Sequence, residues 1–282
     1  MHGKPLPPSG GNQGRPRRDR PYPETPIMSD TTQEQRNAFE NIFSAEAARW
    51  HFHDTKDPLI RYVRDRRLHL ALDAVRKLAG GSIESLSVLL VCGGVGGEAT
   101  FFANHGFSDV TNTDFSENAL DVCRHRDERL KTRLLNAENM DLEDLSYDLV
   151  VVQDGLHHLP RPALGLNEMI RVARKAVIVL EPHTGWVAKA IGTDWERHGN
   201  AVNFVYRWNL ESFRQLILSQ LLDSPKSIRV IRLWDHNSVI HKITSKFGSG
   251  SLGIFIAKSI YACLAPINAF GNNFIGILWK TP

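Results

Sequence analysis

The sequence predicts an α/β protein built on a mostly parallel sheet, and three observations carry that expectation. Five short apolar runs alternate with helical stretches between Ser87 and Leu180. The first run leads through a glycine cluster into a helix, as Ser87-Val-Leu-Leu-Val-Cys92-Gly93-Gly94-Val95-Gly96-Gly97. The composition, 42% hydrophobic and 23% charged over 282 residues, suits a globular chain with a sizeable core. Strands separated by helices pair in parallel through right-handed crossovers.

Each element follows in order. Pro58 is placed to open a helix. Ile60, Val63, Leu68, Leu70, Ala71, Ala74, Val75 and Leu78 supply its apolar stripe, and Gly80-Gly81 closes it. Strands are predicted over 87–91, 109–113, 133–135, 148–152 and 176–180, with helices over 97–104, 116–125 and 163–173 between them. Beyond Glu181 the alternation stops. Asn209 is placed to cap a helix reaching Leu222, and 228–234 and 274–279 read as two final strands. The expected organisation is a tail over 1–30, a helical N-terminal cap over 31–84, and the sheet domain over 85–282. That domain carries lid insertions at about 183–208 and 235–273.

Charge and composition exclude several functions. Residues 1–30 contain seven of the fourteen prolines and a net charge of +2, so the other 252 residues carry only +1. Such a Pro-rich segment buries too little apolar surface to order itself and reads as a disordered tail. A near-neutral body argues against a nucleic-acid partner. The most apolar run, 252–267, is interrupted by Lys258 and falls short of a bilayer span, so no membrane partner is expected. Three scattered cysteines, Cys92, Cys123 and Cys263, make neither a disulfide framework nor a zinc knuckle and point to a reducing, cytoplasmic setting. The oligomeric state is open.

The glycine cluster is the strongest functional signal. Ligands of open α/β sheets bind beyond the carboxyl ends of the strands, and glycines let the backbone come close to them. Asp114 closes the second strand twenty residues after Gly94, where a carboxylate can accept from both hydroxyls of a ribose. Phe115 follows it and can lie against an adenine. Asn136-Ala137-Glu138 follows the third strand and offers an amide and a carboxylate to the adenine edge. Together these predict an adenosine-type ligand. Gly94-Val95-Gly96-Gly97-Glu98-Ala99 also satisfies the G-x-G-x-x-G/A dinucleotide fingerprint.

The wider pattern resembles the class I S-adenosylmethionine-dependent methyltransferases. The likeness rests on the glycine loop, Asp114, Asn136-Ala137-Glu138, and Tyr147-Asp148-Leu149-Val150-Val151-Val152 running on to Leu156-His157-His158-Leu159. It implies a Rossmann-like seven-stranded sheet with a reversed last strand and S-adenosylmethionine as cofactor. The implied cofactor contacts are Cys92, Gly93, Gly94, Gly96, Asp114, Phe115, Ser116, Asn136, Ala137, Glu138 and Gln153, with Gly94 and Gly96 approaching most closely. The chain departs from the family in two places. Leu90 and Cys92 stand where an acid and the first glycine are common, so carbonyls near Cys92 and Gln153 must hold the cofactor's ammonium. Asn136 replaces a common Asp.

Methyl transfer needs a positioned nucleophile, exclusion of water and no metal. If the nucleophile is a hydroxyl, a base adds to the rate, and His157 and His158 in the loop after strand four are the candidates. Glu181, at the end of strand five, is placed to orient or deprotonate an acceptor. Trp186, Trp195, Asn203, Tyr206, Arg207 and Trp208 suit a sugar or phenolic ring, and Trp50-His51-Phe52-His53 could close the pocket. The expected activity is methylation of a small molecule, at a hydroxyl of a specialised metabolite or glycoside. An NAD(P)-dependent oxidoreductase and an inactive methyltransferase-like scaffold are the alternatives.

Overall fold

The computed structural model describes residues 33–37, 39–40, 57–185, 208–220, 227–235 and 246–280. The tail over 1–30, Trp50 to His53, and Trp186, Trp195, Asn203, Tyr206 and Arg207 lie outside those residues. Residues 33–37 and 39–40 are helical. The elements that follow are α1 (Pro58–Ala79), β1 (Val88–Val91), α2 (Gly97–Asn104), β2 (Val110–Asp114), α3 (Glu117–Arg126), β3 (Lys131–Leu134) and β4 (Tyr147–Gln153). A 3-10 turn (Leu156–His158) leads to α4 (Pro162–Val172), β5 (Ala173–Pro182), α5 (Leu210–Gln220), β6 (Ser227–Leu233), α6 (Ser251–Leu264), a second 3-10 stretch (Ala265–Phe270) and β7 (Asn273–Trp279).

The seven strands form one sheet in the order β3-β2-β1-β4-β5-β7-β6. All neighbours pair in parallel except β7, which runs antiparallel to both β5 and β6, so the expected reversed last strand is present. Central strands are apolar on both faces because helices cover both. Val88, Leu90, Val151, Ile178 and Ile277 face α1 and α2. Leu89, Val91, Val150, Val177 and Val179 face α4 and α5. Two strands are longer than their apolar runs suggest. β3 lies at the sheet edge and starts at the exposed Lys131, whose polar side chain hides it from hydrophobicity. β5 begins at Ala173, and its Arg174 pairs with Asp148 at 3.1 Å instead of entering the core.

Helix α1 is capped as its sequence specifies. The Asp57 carboxylate accepts from the Leu59 and Ile60 amides at 2.9 and 3.1 Å. Gly80 ends the helix with φ 68°, the left-handed conformation that favours glycine. The side chain that fixes α1 on the sheet is Arg67. Its guanidinium is buried, pairs through both terminal nitrogens with Asp154 beyond β4, and meets Asp235 beyond β6 at 2.5 Å. It also donates to Asn273 Oδ1 at the start of β7, at 3.3 Å. Burial opposes its charge, but Asp154 and Asp235 more than offset that and raise its pKa. One helix thereby ties three strand ends.

The glycine loop is shaped by its neighbours in the fold. Gly96 has φ 82°, and a Cβ there would overlap Cys123 Sγ on α3. The hydrogen that a Cβ would replace on Gly96 therefore faces α3. Gly93 is similarly constrained, because a Cβ would overlap the Asn112 amide oxygen of β2. A Cβ on Gly155 would come within 2.6 Å of Cys92 Cβ, so the loops after β1 and β4 touch only because Gly155 is bare.

Replacing Gly96 by Ala should cost about 1–3 kcal/mol for the left-handed backbone alone. The overlap with Cys123 adds to that, so chemical denaturation should show Cys123→Ala recovering part of the Gly96→Ala loss but not all of it. Arg67→Ala leaves two carboxylates without their shared partner and should destabilise the fold by about 3–5 kcal/mol in the same assay.

Candidate active site

The carboxyl ends of β1, β2 and β3 and the loop before α4 enclose a cleft lined by Cys92, Asp114, Phe115, Leu135, residues 136–138 and Leu159. Gln35, from the helical residues at the start of the described chain, closes it. Most of the sequence-predicted contacts converge here. The cleft exists because β2 holds the glycine loop in place. Asp114 Oδ2 accepts from the Gly94 amide at 2.9 Å, and Asn112 Nδ2 donates to the Gly94 carbonyl at 2.9 Å. Asp114 Oδ1 accepts from the Ser116 amide at 3.0 Å. Burial pushes the Asp114 carboxyl up to about 6 despite these donors.

Several predicted residues are committed to holding the framework. Ser116 is fully buried and caps α3, its Oγ accepting from the Ala119 amide at 3.2 Å. Asn136 Oδ1 accepts from the Glu138 amide at 2.9 Å, closing a local turn. The Glu138 carboxylate is engaged by the Arg161 amide and by its guanidinium at 2.6 and 2.9 Å, joining the β3 exit to the loop before α4. Leu90, at the position of the family's acid, is buried in the α1-facing core. The Cys92 thiol is pushed well above its usual range by burial and by Asp114, Glu181 and Glu138, and stays protonated.

Among the described residues three buried side-chain amide atoms have no hydrogen-bond partner: Gln35 Nε2 on the cleft wall, Asn112 Oδ1 beneath the glycine loop, and Gln153 Oε1 at the end of β4. Buried polar groups of this kind are rare and call for a ligand or water. Gln153 Nε2 is turned to the Arg64 carbonyl at 3.4 Å, which leaves the amide oxygen as an open acceptor.

Past Gln153, Asp154 takes the left-handed conformation with φ 52°, and the chain turns into the segment carrying the two histidines. Glu181 lies beneath it, fully buried. One carboxylate oxygen accepts from the Gly155 and Leu156 amides at 3.0 and 2.8 Å, and the other meets His157 Nδ1 at 2.6 Å. A carboxylate only accepts, so this contact places the proton on Nδ1 and the ring's lone pair on Nε2. Glu181 is 0% exposed and His157 is itself buried at 4%, so the pair sits inside the protein beneath the turn. The His158 ring lies 4.0 Å from that of His157 and 5.7 Å from that of Phe39. The structure thus distinguishes the two histidines, which the sequence leaves equivalent.

Sequence reasoning passes over Gln35, Phe39 and Glu40, because nothing local marks them. Glu40 accepts from Ser116 Oγ at 2.9 Å and the Glu117 and Asn118 amides at 3.0 and 3.3 Å, securing the segment to the start of α3. Phe39 then stands 5.5 Å from the Phe115 ring. Arg67 and Arg161 are missed for the same reason. Of the lid aromatics, Trp208 is described and packs in the core, edge-on to Phe213. Among the described residues no group of three or more His, Cys, Asp or Glu could hold a metal.

Comparison with known proteins agrees with this geometry. Residues 89–180 match the methyltransferase domain family. Over 104 residues the chain is 33% identical to a demethylmenaquinone methyltransferase of Clavibacter sepedonicus, covering 36% of this chain and 40% of that protein. The chain thus spans well under half the length of this relative. Magnesium protoporphyrin IX methyltransferase from Synechocystis, solved with S-adenosylhomocysteine, has a similar fold: TM-score 0.55, 15% identity, 89% of this chain and 100% of that one. A possible histamine N-methyltransferase from Thermotoga maritima gives a TM-score of 0.54 at 15% identity, covering 88% and 100%. At that identity the likeness establishes the fold. The match of residues 89–180 to the methyltransferase domain family covers the same stretch that carries the glycine loop, Asp114 and the histidine turn.

Proposed function

We propose that this protein methylates a hydroxyl of a small-molecule acceptor, such as a specialised metabolite or glycoside, using S-adenosylmethionine. The observation that carries the choice of oxygen is the buried Glu181–His157 pair. A hydroxyl is a poor nucleophile until its proton leaves, and a histidine with Nε2 held as acceptor is built to take that proton.

The residues present fit the cofactor. The orphaned Gln153 oxygen suits an ammonium group, and Asp114 retains lone pairs for ribose hydroxyls beside a backbone brought close by Gly94. Phe115, Leu135, Ala137 and Leu159 offer apolar walls to a purine. When bound, the cofactor supplies an electrophilic methyl on sulfur. The chain's own part is to orient the acceptor, accept its proton at His157 Nε2 and exclude water, with Gln35 and Phe39 covering the cleft. Glu181 keeps His157 in the required tautomer and stabilises the imidazolium that forms. The reversed β7 disfavours a dinucleotide-dependent oxidoreductase, whose sheet is typically parallel throughout.

Asp114→Ala should weaken S-adenosylhomocysteine binding at least about tenfold by titration calorimetry, since a charged acceptor is worth about 1.5–3 kcal/mol. The pH dependence has a defined sign. The ribose favours the ionised carboxyl, so wild-type affinity should fall as pH drops below about 6, approaching about tenfold per pH unit. Asp114→Asn should remove that slope; a slope unchanged in the variant contradicts the ribose role.

For the base, His157→Ala should lower kcat by about 10²–10⁴ with little change in cofactor affinity. Glu181→Gln keeps an oxygen for the two backbone amides but turns an N–H toward Nδ1, which forces the proton onto Nε2. Its kcat should fall comparably while far-UV circular dichroism is unchanged. Near-normal turnover in both variants would leave positioning alone as the mechanism.

A further inference from the structure

The face of α6 turned away from α1 has no function in the methyl-transfer reading, and its make-up is unusual. Gly253, Ala257 and Tyr261 form the stripe that packs against Leu59 and Val63 of α1. On the opposite side Leu252 and Phe255 are 57% and 64% exposed. Phe247 before the helix and Ile267 and Phe270 after it are also exposed. These five account for half of the exposed large hydrophobic residues in the described chain, gathered within 24 positions. Solvent-facing apolar surface this concentrated marks an interaction site.

The charge around it selects the partner. Residues 236–282 contain four lysines and no Asp or Glu, whereas the preceding 235 residues have one more acidic than basic group. Lys246 and Lys258 are exposed, and Lys258 flanks the apolar face, its Nζ 5.5 Å from the Tyr62 ring of α1. Apolar side chains flanked by lysines, on a segment that itself carries no acid, match a layer of acyl chains beneath anionic headgroups. Lysine stems lie along apolar surface while their ammonium groups reach the phosphates. A second copy of the chain fits less well, because twofold pairing of this face would oppose lysine to lysine without an acid to offset them.

The stretch Ser251–Phe270 is long and apolar enough to cross a bilayer by length and composition. Its geometry speaks against crossing. Tyr261 and Ala257 are buried against α1, Arg66 lies 4.0 Å over the Tyr261 ring, and Lys258 sits mid-helix. We propose that α6 docks the protein on an anionic bilayer, lying in the headgroup layer with Leu252 and Phe255 inserted. Interruption by Lys258 removes a span, the ground for expecting no membrane partner, but suits a helix lying on the surface. The proposal is independent of the methyl-transfer reading.

The test is flotation of the full chain with vesicles of phosphatidylcholine alone or with about one third phosphatidylglycerol. Binding is expected to the anionic vesicles, with Leu252→Ser/Phe255→Ser and Lys258→Glu each lowering the bound fraction at least about tenfold in partition coefficient. All three positions are exposed, so thermal unfolding midpoints should stay near wild type. The variants keep Arg15 to Arg20, so loss of binding assigns the contact to α6 and not to the basic tail. Absence of flotation with anionic vesicles, or equal flotation of wild type and variants, overturns the proposal. So does a wild-type dimer that Phe255→Ser dissociates in sedimentation velocity without any vesicle binding.

Discussion

Arg67 is the constraint on which the arrangement of the site depends. A guanidinium taken out of water is unfavourable unless carboxylates meet it, and here Asp154 and Asp235 do so from two different strand ends. The result is geometric more than energetic. Helix α1 cannot shift without breaking contact with the loop after β4, and that loop carries Gly155, Leu156 and His157. A single charged residue on a helix thus fixes where the strand exits stand relative to one another. The Asp154 backbone, held with φ 52°, is stabilised in that conformation by the same contact.

A second feature is how much of the recognisable chemistry is spent on construction. The carboxylates of Asp114, Glu138 and Glu181 each accept from backbone amides of other loops. Asp114 binds the glycine loop, Glu138 the entrance to α4, and Glu181 the histidine turn. Acidic side chains at strand ends thereby replace the regular hydrogen bonding that stops where the sheet stops. The proposed cofactor meets a site whose loops are already positioned, which lowers the ordering cost of binding. Asp114 and Glu138 both line the cleft, but Glu138 is taken up by the Arg161 guanidinium, whereas each Asp114 oxygen accepts from backbone amides alone.

The parts legible in the sequence are those fixed by local pattern. Apolar runs located β1, β2, β4 and β7 within one residue, because those strands are buried on both faces, whereas β5 begins three residues before its apolar run. The Asn209 cap was equally visible, since it acts on an amide three residues away; Asp57 and Ser116 cap their helices over the same short distances. The edge strand β3 was underestimated because its exposed Lys131 and half-buried Thr132 carry no apolar signal. The need of Cys123 for the space beside Gly96 was not legible, because a glycine records only that space is needed, not which neighbour needs it. The contacts of Gln35, Glu40, Arg67 and Arg161 span 23 to 87 positions or more of chain, and no spacing rule encodes them. Glu181 shows the intermediate case: its importance was visible from its place at the end of β5, but its role as the partner of His157 needed the fold.

The central claim is that the crevice at the ends of β1 to β3 is a nucleoside site gripped by Asp114. The most direct measurement is a crystal structure of the full chain grown with S-adenosylhomocysteine. The account predicts the adenine between Phe115 and Ala137, both ribose hydroxyls on Asp114, and the ammonium on Gln153 Oε1. Nucleoside density elsewhere on the molecule, or a crevice still filled by Gln35 at saturating ligand, would contradict it.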